Sequence, residues 1–163
     1  MGHVDNKLEW CLKKATKEGE KHRGLKEVST NLEKMELHLK KSDHNLKAMI
    51  YFAKGGFPDW AVNASFYARY HCLLAILAKN GYESRNQECT FAAVEHLIDK
   101  QDLTLDKADL LKISSPDGLE ETTLVQMRED SQYGTTTAID ETKMKELLED
   151  TKAFISASKS ALR

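Results

Sequence analysis

The chain has 163 residues, 40% of them hydrophobic and 31% charged, which is enough for one buried core rather than two. A formal charge of -2 and a pI near 6.3 exclude the global basic field typical of nucleic-acid-binding domains. An aromatic content of 7%, two prolines and long Lys/Glu/Leu-rich stretches exclude a sheet architecture and point to an all-α protein.

Residues 5–18 carry Leu8, Cys11, Leu12 and Ala15 at i, i+3, i+4, i+7, the stripe of a short amphipathic helix. Gly19 to Gly24 interrupts it with Lys21, His22 and Arg23 in a row, which reads as a solvated loop. From Leu25 to Lys54 a long helix is expected, with Val28, Leu32, Met35, Leu39, Ser42, Leu46, Met49 and Ala53 as its inward seam. Lys34, Lys40, Lys41 and Lys47 fall off that seam and form a solvated face. Gly55 and Gly56 then reverse the chain, so the next helix is its antiparallel neighbour.

That next helix is the most apolar part of the sequence. Pro58 fits its first turn and Gly81 its stop. Between Trp60 and Ala78 only Arg69 is fully charged, so the helix is expected to be buried on most of its circumference. Asn63, Arg69 and His71 nevertheless interrupt it, and no basic leader followed by an apolar run opens the chain. Neither secretion nor a membrane span is therefore expected. The three cysteines, Cys11, Cys72 and Cys89, are odd in number and widely spaced, which predicts free buried thiols and a reducing cytoplasm.

Ser84, three residues before Gln87, has the spacing of a capping box for a helix from Arg85 to about Lys100. A shorter pattern runs from Thr104 to Ile113, and Ser114 to Gly118 reads as a loop. Leu119 to Gln132 is expected to be helical and Tyr133 to Ala138 extended. The final helix begins at Asp140, which can cap, with Glu141 complementing the positive helix end and Ile139 placed to staple onto Met144.

The pattern tests for chemistry are mostly negative. None of the histidines has a Glu three residues before it, as a di-iron bundle needs. The cysteines and histidines lack zinc spacing, and no phosphate-binding glycine loop occurs. No metal and no cofactor are expected. What remains is one side of the apolar helix, where Asn63, Tyr67, Tyr70, His71 and Leu74 recur at intervals of three and four.

The run from Ala64 to His71 (Ala-Ser-Phe-Tyr-Ala-Arg-Tyr-His), continued through a Leu-rich end and the turn Lys79-Asn-Gly-Tyr-Glu to Glu88, resembles the HEPN domains. The likeness extends over roughly residues 26–160, through the long seam helix before and the Arg128 region and capped last helix after. It implies an up-and-down four- or five-helix bundle over residues 26–163, with antiparallel long helices, short additional ones, and residues 1–25 as a helical extension.

Many HEPN proteins are metal-independent ribonucleases whose site is an Arg followed after four to six residues by His, joined across a homodimer interface. There the His moves the 2'-hydroxyl proton and the Arg holds the phosphorane. Here no arginine is followed by a histidine at that spacing. Arg128 to Tyr133 matches the motif's place in the chain, with Tyr133 where the histidine would stand, and a phenol of pKa near 10 is a poor base at neutral pH.

The resemblance therefore implies a cytoplasmic homodimer that binds a nucleotide or RNA without standard HEPN ribonuclease activity. Its contacts would come from Tyr67, His71, Arg85, Asn86, Arg128 and Tyr133, and a separately encoded minimal nucleotidyltransferase is the implied partner, with neither DNA nor membrane involved. Two alternatives stay open. One is a divergent metal-independent endoribonuclease of toxin-antitoxin type, drawing on His71, Arg128 or Tyr133 for catalysis. The other is a helical module for protein interaction alone.

Overall fold

Leu8, Cys11 and Ala15 form the buried stripe of the first helix, α1 (His3–Glu18), in a computed structural model that describes residues 2–114 and 123–163. Gly19 ends α1 at φ +74°, a conformation that glycine adopts without steric cost. A single 3-10 turn, Gly19–Lys21, follows.

The expected solvated loop and the early start of the long helix are both overturned here. His22 is buried and lies 3.2 Å from the Glu83 carboxylate. Leu25–Glu27 is a short strand, β1, paired antiparallel with β2 (Tyr82–Ser84) in the register Leu25 to Ser84 and Glu27 to Tyr82. The reason lies at Asn31, whose Oδ1 accepts the Lys34 amide at 2.9 Å. That cap starts α2 at Leu32 rather than Leu25. Val28 and Leu32, assigned to the seam, are consequently exposed, while Met35, Leu39, Ser42 and Met49 are buried as expected.

α2 (Leu32–Lys54) and α3 (Pro58–Lys79) form the antiparallel hairpin expected around Gly55 and Gly56. α3 is buried at thirteen positions between Ala61 and Ala78, and it touches α2, α4, α6 and α7. It is the central element of an all-α bundle. Ser42 Oγ donates to the Ala68 carbonyl at 2.6 Å, fixing the α2–α3 register inside the core.

α4 (Gln87–Asp99) packs on α1. Its cap is Asn86, whose Oδ1 accepts from the Cys89 amide at 3.1 Å, and not the expected Ser84. Ser84 ends β2 and bonds instead to the Asn86 backbone and to Thr90. The α1–α4 contact also overturns the expectation of three free thiols. Cys11 and Cys89, far apart in sequence, meet with Cα atoms 5.8 Å apart and form a disulfide. Only Cys72 is a free cysteine among the described residues. Spacing in the sequence could not show this, because the pairing depends on two elements meeting across the fold.

Short α5 (Lys107–Leu111) precedes residues 115–122, so most of the expected loop and the start of the expected helix lie outside the described residues. α6 (Leu124–Tyr133) takes in Tyr133, one residue beyond the helix that the sequence predicts. The last helix, α7 (Glu141–Leu162), starts where its sequence signals place it. Asp140 Oδ1 accepts the Thr142 amide at 3.3 Å. α7 lies along α3 and α2, tied by Lys159 to Asp43 at 2.8 Å and by a buried Ser65–Thr151 hydroxyl pair at 2.8 Å. No described helix is long and apolar enough to cross a membrane.

Candidate functional site

A helix whose partners leave one side open presents its residues at intervals of three and four. On α3 that open side carries Trp60, Tyr67, His71 and Leu74, with Trp60 54% and Tyr67 41% exposed. Two of the sequence candidates, Tyr67 and His71, therefore stand one turn apart on the same face.

His71 has a partner that sequence reasoning missed. Its Nδ1 lies 3.0 Å from Nδ1 of His38 on α2, with the rings 5.2 Å apart and tilted by 33°. A direct bond between these nitrogens requires one ring to hold its proton on Nδ1 and the other to offer a lone pair there. Burial, then His38 and Lys41 nearby, push the His71 pKa down to about 4. Burial and Lys34 lower His38 as well. Both rings are thus neutral near pH 7, and their outer Nε2 atoms differ: one is a lone pair and the other an N–H.

The register of the hairpin contains the signal that would have found this pair. His38 stands 17 residues before Gly55 and His71 16 after it, and positions equidistant from the turn of an antiparallel helical hairpin lie side by side. Next to His38, a hollow of about 200 Å³ is lined in part by Lys34, Tyr82, Glu83, Ser84 and Arg85.

On the other flank of Tyr67 lies Arg128. Its guanidinium carbon is 4.8 Å from the centroid of the Phe66 ring, and Tyr67 meets that same ring edge-on at 5.1 Å. Arg128 Nη1 donates to Gln132 at 2.9 Å, whereas its Nε is buried and bonds to no described residue. A flat guanidinium on an aromatic face is a cation–π contact. Phe66 is the second residue that sequence reasoning passed over, since it reads only as core.

The remaining candidates are not brought to this face. Tyr133 is 77% exposed, but five residues along a helix place it about 140° around α6 from Arg128. It shares a hollow with Glu129 and Asp130, an acidic setting unsuited to a phosphate. Arg85 binds the Glu20 carbonyl at 2.7 Å and the Glu83 carboxylate at 3.0 Å, and Asn86 is the cap of α4. Both hold the β2–α4 junction together. Arg85 still borders the hollow beside His38.

The class that these elements define is a helical bundle built around one long apolar helix. The HEPN domain family model matches residues 35–161, over three-quarters of the chain, and the chain belongs to the HEPN family. No curated protein matches it.

Proposed function

We propose that this protein binds a nucleotide or single-stranded RNA across the open face of α3 and does not cleave it. The observation that carries the reading is the neutral His38–His71 pair one turn from the exposed Tyr67. Tyr67 offers a ring on which a base can stack. The two imidazole Nε2 atoms offer one donor and one acceptor, a match for a base edge or a ribose hydroxyl. Arg128 supplies the nearby cation for a phosphate.

Metal-free RNA cleavage needs a protonated acid to release the leaving oxygen. An imidazole of pKa about 4, hydrogen-bonded to a second lowered imidazole, supplies neither a strong base nor an acid at neutral pH. Binding without turnover is the chemistry that such a pair supports. The homodimer and the nucleotidyltransferase partner belong to the same proposal, and so does a cytoplasmic setting, although the Cys11–Cys89 bond removes the free-thiol argument for it. The exposed Trp60 near the start of α3 favours a surface that associates.

Fluorescence anisotropy with a labelled single-stranded oligoribonucleotide tests it. Tyr67→Ala is expected to weaken binding by about 1–3 kcal/mol, the worth of one stacked base, with Tyr67→Phe close to wild type. Equal affinity of the Tyr67→Ala and wild-type proteins would overturn the assignment. Incubation of the RNA with protein in EDTA is expected to leave it intact, and cleavage abolished by His71→Ala would make the protein an enzyme instead.

A further inference from the structure

The side of α3 turned away from Tyr67 carries a guanidinium that the reading above does not use. Arg69 is only 4% exposed. Its Nε and Nη2 donate to Thr151 Oγ1 at 3.3 and 3.1 Å, and Nη2 also reaches the Leu147 carbonyl at 3.3 Å. These acceptors are neutral. Nη1 bonds to no described residue, and no described carboxylate closes to an ion pair with Arg69.

Burial lowers the Arg69 pKa, with Asp150 and Asp109 opposing it at longer range, to about 10. It therefore stays protonated at neutral pH. A charge taken out of water without a partner is expensive, and native proteins keep one where a counter-charge arrives.

Arg69 lines a cavity of about 400 Å³ between α3, α6 and α7. Lys112 and Lys143 line it too, and neither makes an ion pair among the described residues, although Glu146 and Asp150 border the same space. Arg69, Lys112 and Lys143 face Glu146 and Asp150, with Asp109 beside Arg69 and Lys112 in the adjoining hollow, and no pair is closed among the described residues. Leu124 and Met127 give the cavity an apolar wall. This separation of unpaired charges around open volume is what a bound oxyanion would complete.

We propose that this cavity is a binding site for the oxyanion head group, carboxylate or phosphate, of a small ligand. Arg69 Nη1 is the inner donor, Lys112 and Lys143 close over the head group from the rim, and the ligand body rests on Leu124 and Met127. The buried part of the site is rigid, because Arg69 is held by Thr151, which itself donates to Leu147 at 2.6 Å. With Nε and Nη2 committed to Thr151 and Leu147, the guanidinium offers Nη1 to a single oxygen of the head group, a charge-assisted hydrogen bond.

The Arg69 Nε–H resonance in a 15N-labelled sample reports on the site directly. Titration with sodium phosphate and, separately, with sodium acetate at ionic strength held constant with chloride is expected to move that resonance saturably. The tighter of the two identifies the head group. Lys143→Gln and Lys112→Gln, both at exposed positions, are expected to raise the half-saturating concentration about two- to fivefold each, the worth of a surface ion contact, without shifting the melting temperature. A resonance indifferent to both anions, or one that responds to chloride equally well, overturns the proposal. Tyr67→Ala leaves this titration unchanged, which separates its outcome from that of the RNA-binding test.

Discussion

His71 links the charge state of one residue to the stability of the fold. Its folded pKa of about 4 lies below the unfolded value near 6.5, so on acidification the unfolded chain takes up the proton first. The stabilisation from the neutral pair is whole above about pH 6.5, declines between 6.5 and 4, and is spent below 4. Wild-type Tm is expected to fall more steeply than that of His71→Gln across that window, measured by circular dichroism; parallel profiles would show that the pair carries no such linkage. At this scale the sequence was legible for Tyr67 and His71, because their i, i+4 spacing on a helix with few charges places them together. His38 was legible only by counting residues outward from the Gly55 turn, which sets the hairpin register, and Phe66 was not legible, since it becomes part of the site only through the approach of α6. Arg85 and Asn86 carry the residue types of a binding site, yet Arg85 is engaged by the Glu20 carbonyl and the Glu83 carboxylate and Asn86 by the Cys89 amide.

At the level of elements, helices marked by both a periodic stripe and terminal signals were readable. α3 has Pro58 and Gly81, and α7 has Asp140 and Glu141. β1 escaped because three residues are too few to show a period and its hydrogen-bond partners lie on β2, on the far side of the helical hairpin. Leu25 then reads as the start of the helix that follows and Val28 as the first position of its stripe. The entry to β1 is also sterically tight. A Cβ at Gly24 would lie 2.5 Å from the Cys11 carbonyl oxygen and 2.9 Å from the Ala15 amide nitrogen, so the strand entry and α1 touch backbone to backbone. Gly24→Ala must push α1 away, and a loss of about 1–3 kcal/mol is expected, as for other overpacked sites. Chemical denaturation checks this against Lys21→Ala, an exposed change in the same turn that is expected to be neutral. A wild-type midpoint for Gly24→Ala would mean that α1 docks more loosely than its contacts indicate.

The family match begins at Met35, so α1 and β1 lie outside it, yet they are joined to the matched bundle by strand pairing, by packing on α4 and by the Cys11–Cys89 bond. That bond is a property of the whole molecule, because it closes a loop of 78 positions containing β1, α2, α3 and β2. Its main effect falls on the unfolded chain. Restricting a loop of this length removes conformational freedom worth about 4 kcal/mol in the chain-entropy model, of which roughly 2–4 kcal/mol is commonly realised. For a domain of this size that corresponds to a Tm difference of roughly 5–15 °C. Denatured protein is expected to titrate as one thiol before reduction and three after it, with reduced protein melting lower by that amount. The same shift is expected in Cys72→Ala, which has no other thiol to exchange, and should vanish in Cys11→Ser. Three reactive thiols in unreduced protein, or coincident melting curves with and without reductant, would refute the cross-link. The helix packing would then have to hold α1 in place alone.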